Sequence, residues 1–282
     1  MPFTVSHAIV ALPFVRSPLA PAAVAAGAMA PDLPLFLPVG ADYGTTHELP
    51  GVLLAAIPLA FATLLLWRVV VRPAVPFVVP AALAARLPAE WSRGARDGWR
   101  SLWRSSPAGT ASAGAVLALL AALTIGVVSH VVWDAFTHAG RWGTHLVPAL
   151  DSTIAGLPGS SWLQYLSSTL GFAGLAAALV VWIVRRTSSR VPEWSPARAP
   201  KGSRAPTTAW RRWAPTAFWL VVAGAAVAGV LRAIASVPAP LTSANARDLV
   251  FALLTDVGAA TAVALVLACL GLQLVRRVAQ SN

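Results

Sequence analysis

The chain has 282 residues, 57% of them hydrophobic and 11% charged, which excludes an ordinary soluble globular domain and points to the lipid bilayer as its partner and solvent. Its formal net charge of +11 would suit a nucleic-acid binder, but the basic residues stand in blocks between apolar runs, as in the loops of membrane proteins, so no nucleic-acid partner is expected. Cys269 is the single cysteine, which rules out disulfides and cysteine-based metal sites and leaves His, Asp and Glu as the available metal ligands.

The opening Met1-Pro2-Phe3-Thr4 lacks the basic region of a secretory signal, so the N-terminal segment is expected to stay in the mature protein. One straight helix from His7 to Ala30 would be roughly 36 Å long and would set His7 across the membrane from Asp32. Pro13, Pro18 and Pro21 interrupt such a helix and predict two short ones, 6–14 and 19–29, folded into a hairpin that returns His7 to Asp32. Five apolar runs follow, at 49–71, 111–132, 162–184, 213–235 and 249–275, each reaching the about 20 helical residues that cross a hydrocarbon core. Trp67, Trp133, Trp162, Trp182 and Trp213 lie near their ends, where indole prefers the headgroup level. The predicted fold is therefore all-α: a polytopic helical membrane protein of about five transmembrane helices plus a short N-terminal helical hairpin.

Arg68, Arg72, Arg86, Arg93, Arg96, Arg100 and Arg104 follow the first run, and a second basic block from Arg185 to Arg212 separates the third from the fourth. The positive-inside rule places both blocks, and the C-terminus with Arg276 and Arg277, in the cytoplasm of a multi-pass cell-membrane protein. Three parts are expected: a membrane domain over 1–186, a flexible basic cytoplasmic linker over 187–212, rich in Pro, Ser and Arg, and a two-helix membrane hairpin over 213–282. By the same alternation, the segments around 32–47, 130–161 and 237–247 face outward. Every histidine after His7 lies in them.

The richest stretch is Ser129-His130-Val131-Val132-Trp133-Asp134-Ala135-Phe136-Thr137-His138. His130 and Asp134 are four apart, hence on one helix face, and His138 continues that face with a small drift, so one helix end offers three metal ligands. An Asp at mid-bilayer costs about 2.5–3.5 kcal/mol on insertion scales, and even near the interface it usually marks a partner or a function. Ala30-Pro31-Asp32 and Thr45-Thr46-His47-Glu48 put further ligand types at the ends of apolar runs. Taken singly, Asp32 reads as a turn or cap residue, His47 as an interfacial polar group, and His7 as a first-turn residue behind a Ser6 cap. Their joint placement on one face raises them as ligands.

The block Met1 to His7, the Asp32 step, the His47 turn and the run from Ser129 to His138 resemble the bacterial membrane family catalogued as domain of unknown function 4184. Leu157-Pro158 and Trp162-Leu163-Gln164-Tyr165 are also similar, so the resemblance covers about the first 185 residues. That pattern is in turn similar to inner-membrane proteins described as metal-dependent hydrolases and, more remotely, to zinc phospholipase C and S1/P1 nucleases. The resemblance implies His7, Asp32, His47, His130 and Asp134 as metal ligands, with His138 on a second ion, and Asp32 or Asp134 orienting the attacking water. The soluble enzymes complete another metal with His-x-x-x-Glu, whereas Ala149 stands four residues after His145, so one or two ions are expected rather than three. The donor set suits a divalent metal, zinc first, and admits manganese or iron. Such a site at the lipid boundary suggests a phosphorylated or ester-bearing lipid or envelope precursor as substrate. A non-catalytic protein with a structural metal or none stays open as the alternative, and a transporter ranks behind both because no repeat is visible.

Of the remaining polar residues, His145 reads as surface loop and Asp42 and Glu48 as solvated charges beside His47. Arg232 and Asp256 are expected to pair between the last two helices, Arg247 and Asp248 to mark the outer end of the last one, and 77–87 to form an interfacial helix.

Overall fold

The computed structural model describes residues 4–104, 110–186, 209–238, 240, 242 and 245–281. Residues 187–208 of the expected 187–212 linker lie outside them, and its last four residues instead open the helix Ala209–Ser236. Helices dominate, and a two-stranded ribbon pairs Thr153–Ile154 antiparallel with Leu157–Pro158. Among the described residues five helices are long and apolar enough to cross a membrane: Val52–Val78, Ala113–Thr137, Gly159–Arg185, Trp213–Ser236 and Ala246–Val278. Their large apolar side chains stand outward, Leu117, Leu166, Leu170, Leu220 and Leu267 among them, as a lipid solvent requires.

The first span ends later than its composition predicts. The helix runs through Pro73 and Pro76 to Val78, and only the four residues Ala81–Ala84 of the expected interfacial helix are helical beyond it. Pro73 has no N–H for the carbonyl of Val69. The Gln273 side-chain amide donates to that oxygen at 3.1 Å and to the Val70 oxygen at 2.8 Å, so the orphaned acceptors are satisfied and the helix continues. His145, expected in a loop, lies instead in the short helix Trp142–Leu146.

The chain packs as two compact units, Met1–Leu64 with Leu102–Trp182, and Leu65–Ser101 with Ile183–Asn282. In the second unit Ala74, Phe77 and Val78 form a core with Ala214, Phe218, Val222, Cys269 and Leu272, and the Trp219 indole donates to the Val78 carbonyl at 2.8 Å. Arg232 and Asp256 pair there at 3.4 Å as expected, although the arginine is exposed rather than buried.

In the first unit the predicted hairpin forms. A 3₁₀ helix, Thr4–Arg16, turns at Ser17, whose hydroxyl donates to the Phe14 carbonyl and accepts from the Leu19 N–H. The return arm is the helix Pro21–Met29, with proline at its start where the missing N–H costs nothing. Ala23, Val24 and Ala28 are fully buried, and this arm lies against the second span, Ala113–Thr137, at a crossing of two glycines. A Cβ on Gly27 would come within 2.3 Å of the Leu123 carbonyl oxygen, and one on Gly126 within 2.2 Å of the Val24 carbonyl oxygen. No other residue permits this backbone approach. Gly126→Val is therefore expected to push the arm off the span and cost at least about 1–3 kcal/mol, as overpacking does; thermal unfolding of the purified protein in detergent measures it, and an unchanged midpoint would refute the close crossing.

Candidate metal centre

Where the hairpin meets the second span, four buried side chains converge. Asp32, His47, His130 and Asp134 each offer one ligand atom, and these atoms lie within 4.8 Å of one another. Their relative exposures are 5%, 5%, 0% and 3%. They come from separate segments: Asp32 from the 3₁₀ helix Ala30–Leu35, His47 from the one-turn helix Tyr43–His47, and His130 and Asp134 from successive turns of the second span.

Backbone carbonyls orient both imidazoles. His130 Nδ1 lies 2.7 Å from the Ala28 oxygen and His47 Nδ1 lies 2.8 Å from the Tyr43 oxygen. A carbonyl can only accept, so each Nδ1 carries a proton and each ring turns its Nε2 inward, the atom that gives a lone pair to a cation when it is unprotonated. The two Nε2 atoms face each other at 3.2 Å. His130 Nε2 is 3.4 Å from Asp32 Oδ1 and 3.5 Å from Asp134 Oδ2; His47 Nε2 is 3.9 Å and 3.5 Å from the same atoms. A tetrahedral ion with bonds near 2.0–2.1 Å sets its ligands about 3.3–3.4 Å apart. The group matches that spacing on all these edges but the longest. With both Nε2 atoms unprotonated, two lone pairs and two carboxylates would face one another out of water, and a cation at their centre would turn those repulsions into attractions. Asp32, His47, His130 and Asp134 thus form a group able to hold a metal ion.

Outer contacts hold these side chains. Thr4 Oγ1 donates to Asp32 Oδ2 at 2.7 Å, and Thr46 Oγ1 donates to the Pro31 carbonyl at 2.7 Å, tying the His47 turn to the Asp32 step. The Tyr43 hydroxyl donates to Asp134 Oδ2 at 3.1 Å, which leaves Asp134 Oδ1 buried without a donor. Burial works to raise the Asp32 carboxyl, but the facing His130 ring and the Thr4 hydroxyl hold it below the usual carboxylate range. The Tyr43 hydroxyl is pushed above its ordinary value by burial and by the two nearby carboxylates, so it stays a donor.

His7 joins the cluster from the N-terminal 3₁₀ helix. Its ring centroid is 4.1 Å from that of His130, and its Nε2 is 3.6 Å from the unpartnered Asp134 Oδ1. Burial, and then the neighbouring His130, pull its pKa down to about 4, so it is a neutral imidazole at ordinary pH. His138 stands at the edge, its Nδ1 3.5 Å from Asp134 Oδ2 and 3.2 Å from Thr137 Oγ1, its Nε2 3.0 Å from the Gln164 amide nitrogen. Burial lowers this ring too. His145 pairs with Asp151 at 3.6 Å.

Sequence reasoning passed over Tyr43, Thr4, Thr46 and Gln164. Tyr43 stands four residues before His47, the spacing that puts it on the same helix face. Asp42, read as a solvated charge, caps the Tyr43–His47 helix by accepting from the Thr45 N–H at 2.7 Å, and that contact holds its carboxyl below the ordinary value. Glu48 is exposed, as expected.

A family model described as Domain of unknown function (DUF4184) matches residues 1–270. No curated protein and no solved structure matches the chain.

Removing the Tyr43 hydroxyl tests whether these outer contacts matter. Tyr43→Phe is expected to leave the fold intact and weaken metal binding by about 10- to 100-fold, the range for a lost outer contact; competition against a chelating dye reads the change, and an unaltered affinity would show that the hydroxyl plays no part.

Proposed function

We propose that this chain, which belongs to the DUF4184 family, is a membrane-embedded metal-dependent hydrolase acting on a phosphoester or carboxyl ester of a lipid or envelope precursor. One observation carries the reading: two imidazoles, each anchored through Nδ1 to a backbone carbonyl, bring their Nε2 atoms within 3.2 Å of each other, with two carboxylates completing the ring. The two aspartates bring two negative charges into a buried site, and one divalent cation balances them. Nitrogen and oxygen donors favour zinc, with manganese or iron also compatible.

When bound, such a cation supplies Lewis acidity, polarising an ester oxygen and lowering the pKa of water toward neutrality. The chain's residues divide the remaining work. Asp32, fixed by Thr4, and the two carbonyl-anchored histidines act as ligands. Asp134 presents Oδ2 to the ligand ring and keeps Oδ1 without a donor, so Oδ1 is the group that orients water and accepts its proton. His7, neutral and 3.6 Å from that oxygen, is an additional ligand or proton partner, and His138 serves a second ion at the edge. Outward-standing apolar side chains on the surrounding helices favour a substrate that arrives through lipid.

The positions of the arginine blocks along the sequence support a bacterial inner-membrane placement, with the site on the extracytoplasmic face and the C-terminus in the cytoplasm. A second reading, a metal that only staples the hairpin to the second span, is favoured by how closed the ring is: all four ligands are less than a tenth exposed.

Metal analysis and activity separate these readings. The purified protein is expected to hold about one divalent ion per chain and to cleave model phosphate or carboxyl esters. His130→Ala and Asp134→Ala should reduce metal affinity by more than about 100-fold, beyond an outer-contact effect, and abolish cleavage. Full metal occupancy in both variants ends the metal reading, and full occupancy of the wild type without cleavage leaves the staple. Sidedness is tested by replacing Cys269 with alanine and Ser152 with cysteine. A membrane-impermeant maleimide is expected to label residue 152 in intact cells, and labelling only after lysis reverses the topology.

A further inference from the structure

Among the described residues, two arginines of the second unit lie at least partly buried with no carboxylate in ion-pair contact. Arg68 and Arg72 are four residues apart, on one face at the end of the first span, and their guanidinium groups lie close enough to repel each other. Arg72 is 4% exposed, yet its Nε and Nη2 have no hydrogen-bond partner, and the buried Nε of Arg68 has none. Arg68 spends one Nη1 donor on Ser101 Oγ at 3.4 Å. Glu90 and Asp97 are the acidic neighbours, but among the described residues no carboxylate oxygen comes within 4.0 Å of either guanidinium. A guanidinium keeps its proton at any accessible pH, so this charge cannot be removed by titration, and leaving it unpaired out of water is costly.

The surroundings are built closely. The helix Ala95–Arg100 lies on the Arg68 turn, where a Cβ on Gly98 would come within 2.0 Å of the Arg68 carbonyl oxygen. Trp67 and Trp91 meet edge to face at 5.4 Å beside it, and indoles of this kind settle at the level of lipid headgroups. Arg68 lies in the π-helical stretch Trp67–Val71, a local widening that recurs at ligand sites. Arginine's planar fork matches the oxygens of a phosphate, and basic recesses between transmembrane helices take lipid headgroups.

We propose that Arg68 and Arg72 form a phosphate-binding site, filled by the phosphate of an anionic lipid headgroup or by a free phosphate ester. The half-buried Arg68 is its open side, and the buried Arg72 is the anchor that only a multiply accepting oxyanion can satisfy. This site is independent of the metal reading.

Thermal unfolding of the full chain in detergent, with and without dioleoylphosphatidylglycerol or inorganic phosphate, tests it. The wild type is expected to gain several degrees with lipid and to keep one lipid per chain in native mass spectrometry. In Arg68→Gln and Arg72→Met both effects are lost, while Arg93→Gln, an exposed arginine on the covering segment, keeps them. A shift with inorganic phosphate alone, lost in the same variants, supports the site and assigns it to a soluble phosphate. If Arg72→Met does not fold, Arg68→Gln carries the comparison. No shift with either probe, or shifts retained in Arg68→Gln, overturns the proposal.

Discussion

The hydrogen bond from His130 Nδ1 to the Ala28 carbonyl joins the two halves of the first unit's architecture. It bridges 102 positions of sequence, docks the return arm of the N-terminal hairpin onto the second span, and turns His130 Nε2 toward the other three side chains. The bond is possible only because Gly27 and Gly126 let the two backbones approach within the space of a methyl group. Packing and chemistry therefore rest on the same few ångströms. A side chain at the crossing would shift the Ala28 carbonyl, release the imidazole and spread the ligand ring at once.

A similar economy appears where the chain breaks its own helix rules. Pro73 removes the hydrogen bond that Val69 needs, and Gln273, far along the chain, returns it. The repair lets Phe77 and Val78 reach the core shared with Phe218 and Cys269 instead of ending at the membrane surface. Backbone satisfaction by a distant side chain is the usual means by which proline is tolerated inside a membrane helix.

These features explain what could be read from the sequence and what could not. Apolar runs of spanning length have few alternatives in lipid, so the five helices were legible from composition alone. The hairpin was legible from Pro13, Pro18 and Pro21, and the same-face spacing of His130 and Asp134 follows from helix geometry. The later end of the first span was not, because it depends on a contact with Gln273 that no local pattern announces. Tyr43 and Thr4 were hidden for the same reason: a hydroxyl becomes an outer support only when a carboxylate from another segment arrives beside it. Asp42 looked like a solvated charge since a cap and a loop carboxylate differ only in where the next N–H points. The half-buried Arg68 and the buried Arg72 read as topology signals, and only packing showed that three of their buried nitrogens lack hydrogen-bond partners.

The ligand ring also has a direction in time. Asp32 and His47 are made early, while His130 and Asp134 leave the ribosome only with the second span. A nascent chain that has emerged no further than the first span carries two of the four side chains, and the group is complete only once the later helix is made. Completion of the group thus waits on the second span and on nothing made after it, since all four side chains lie at or before Asp134.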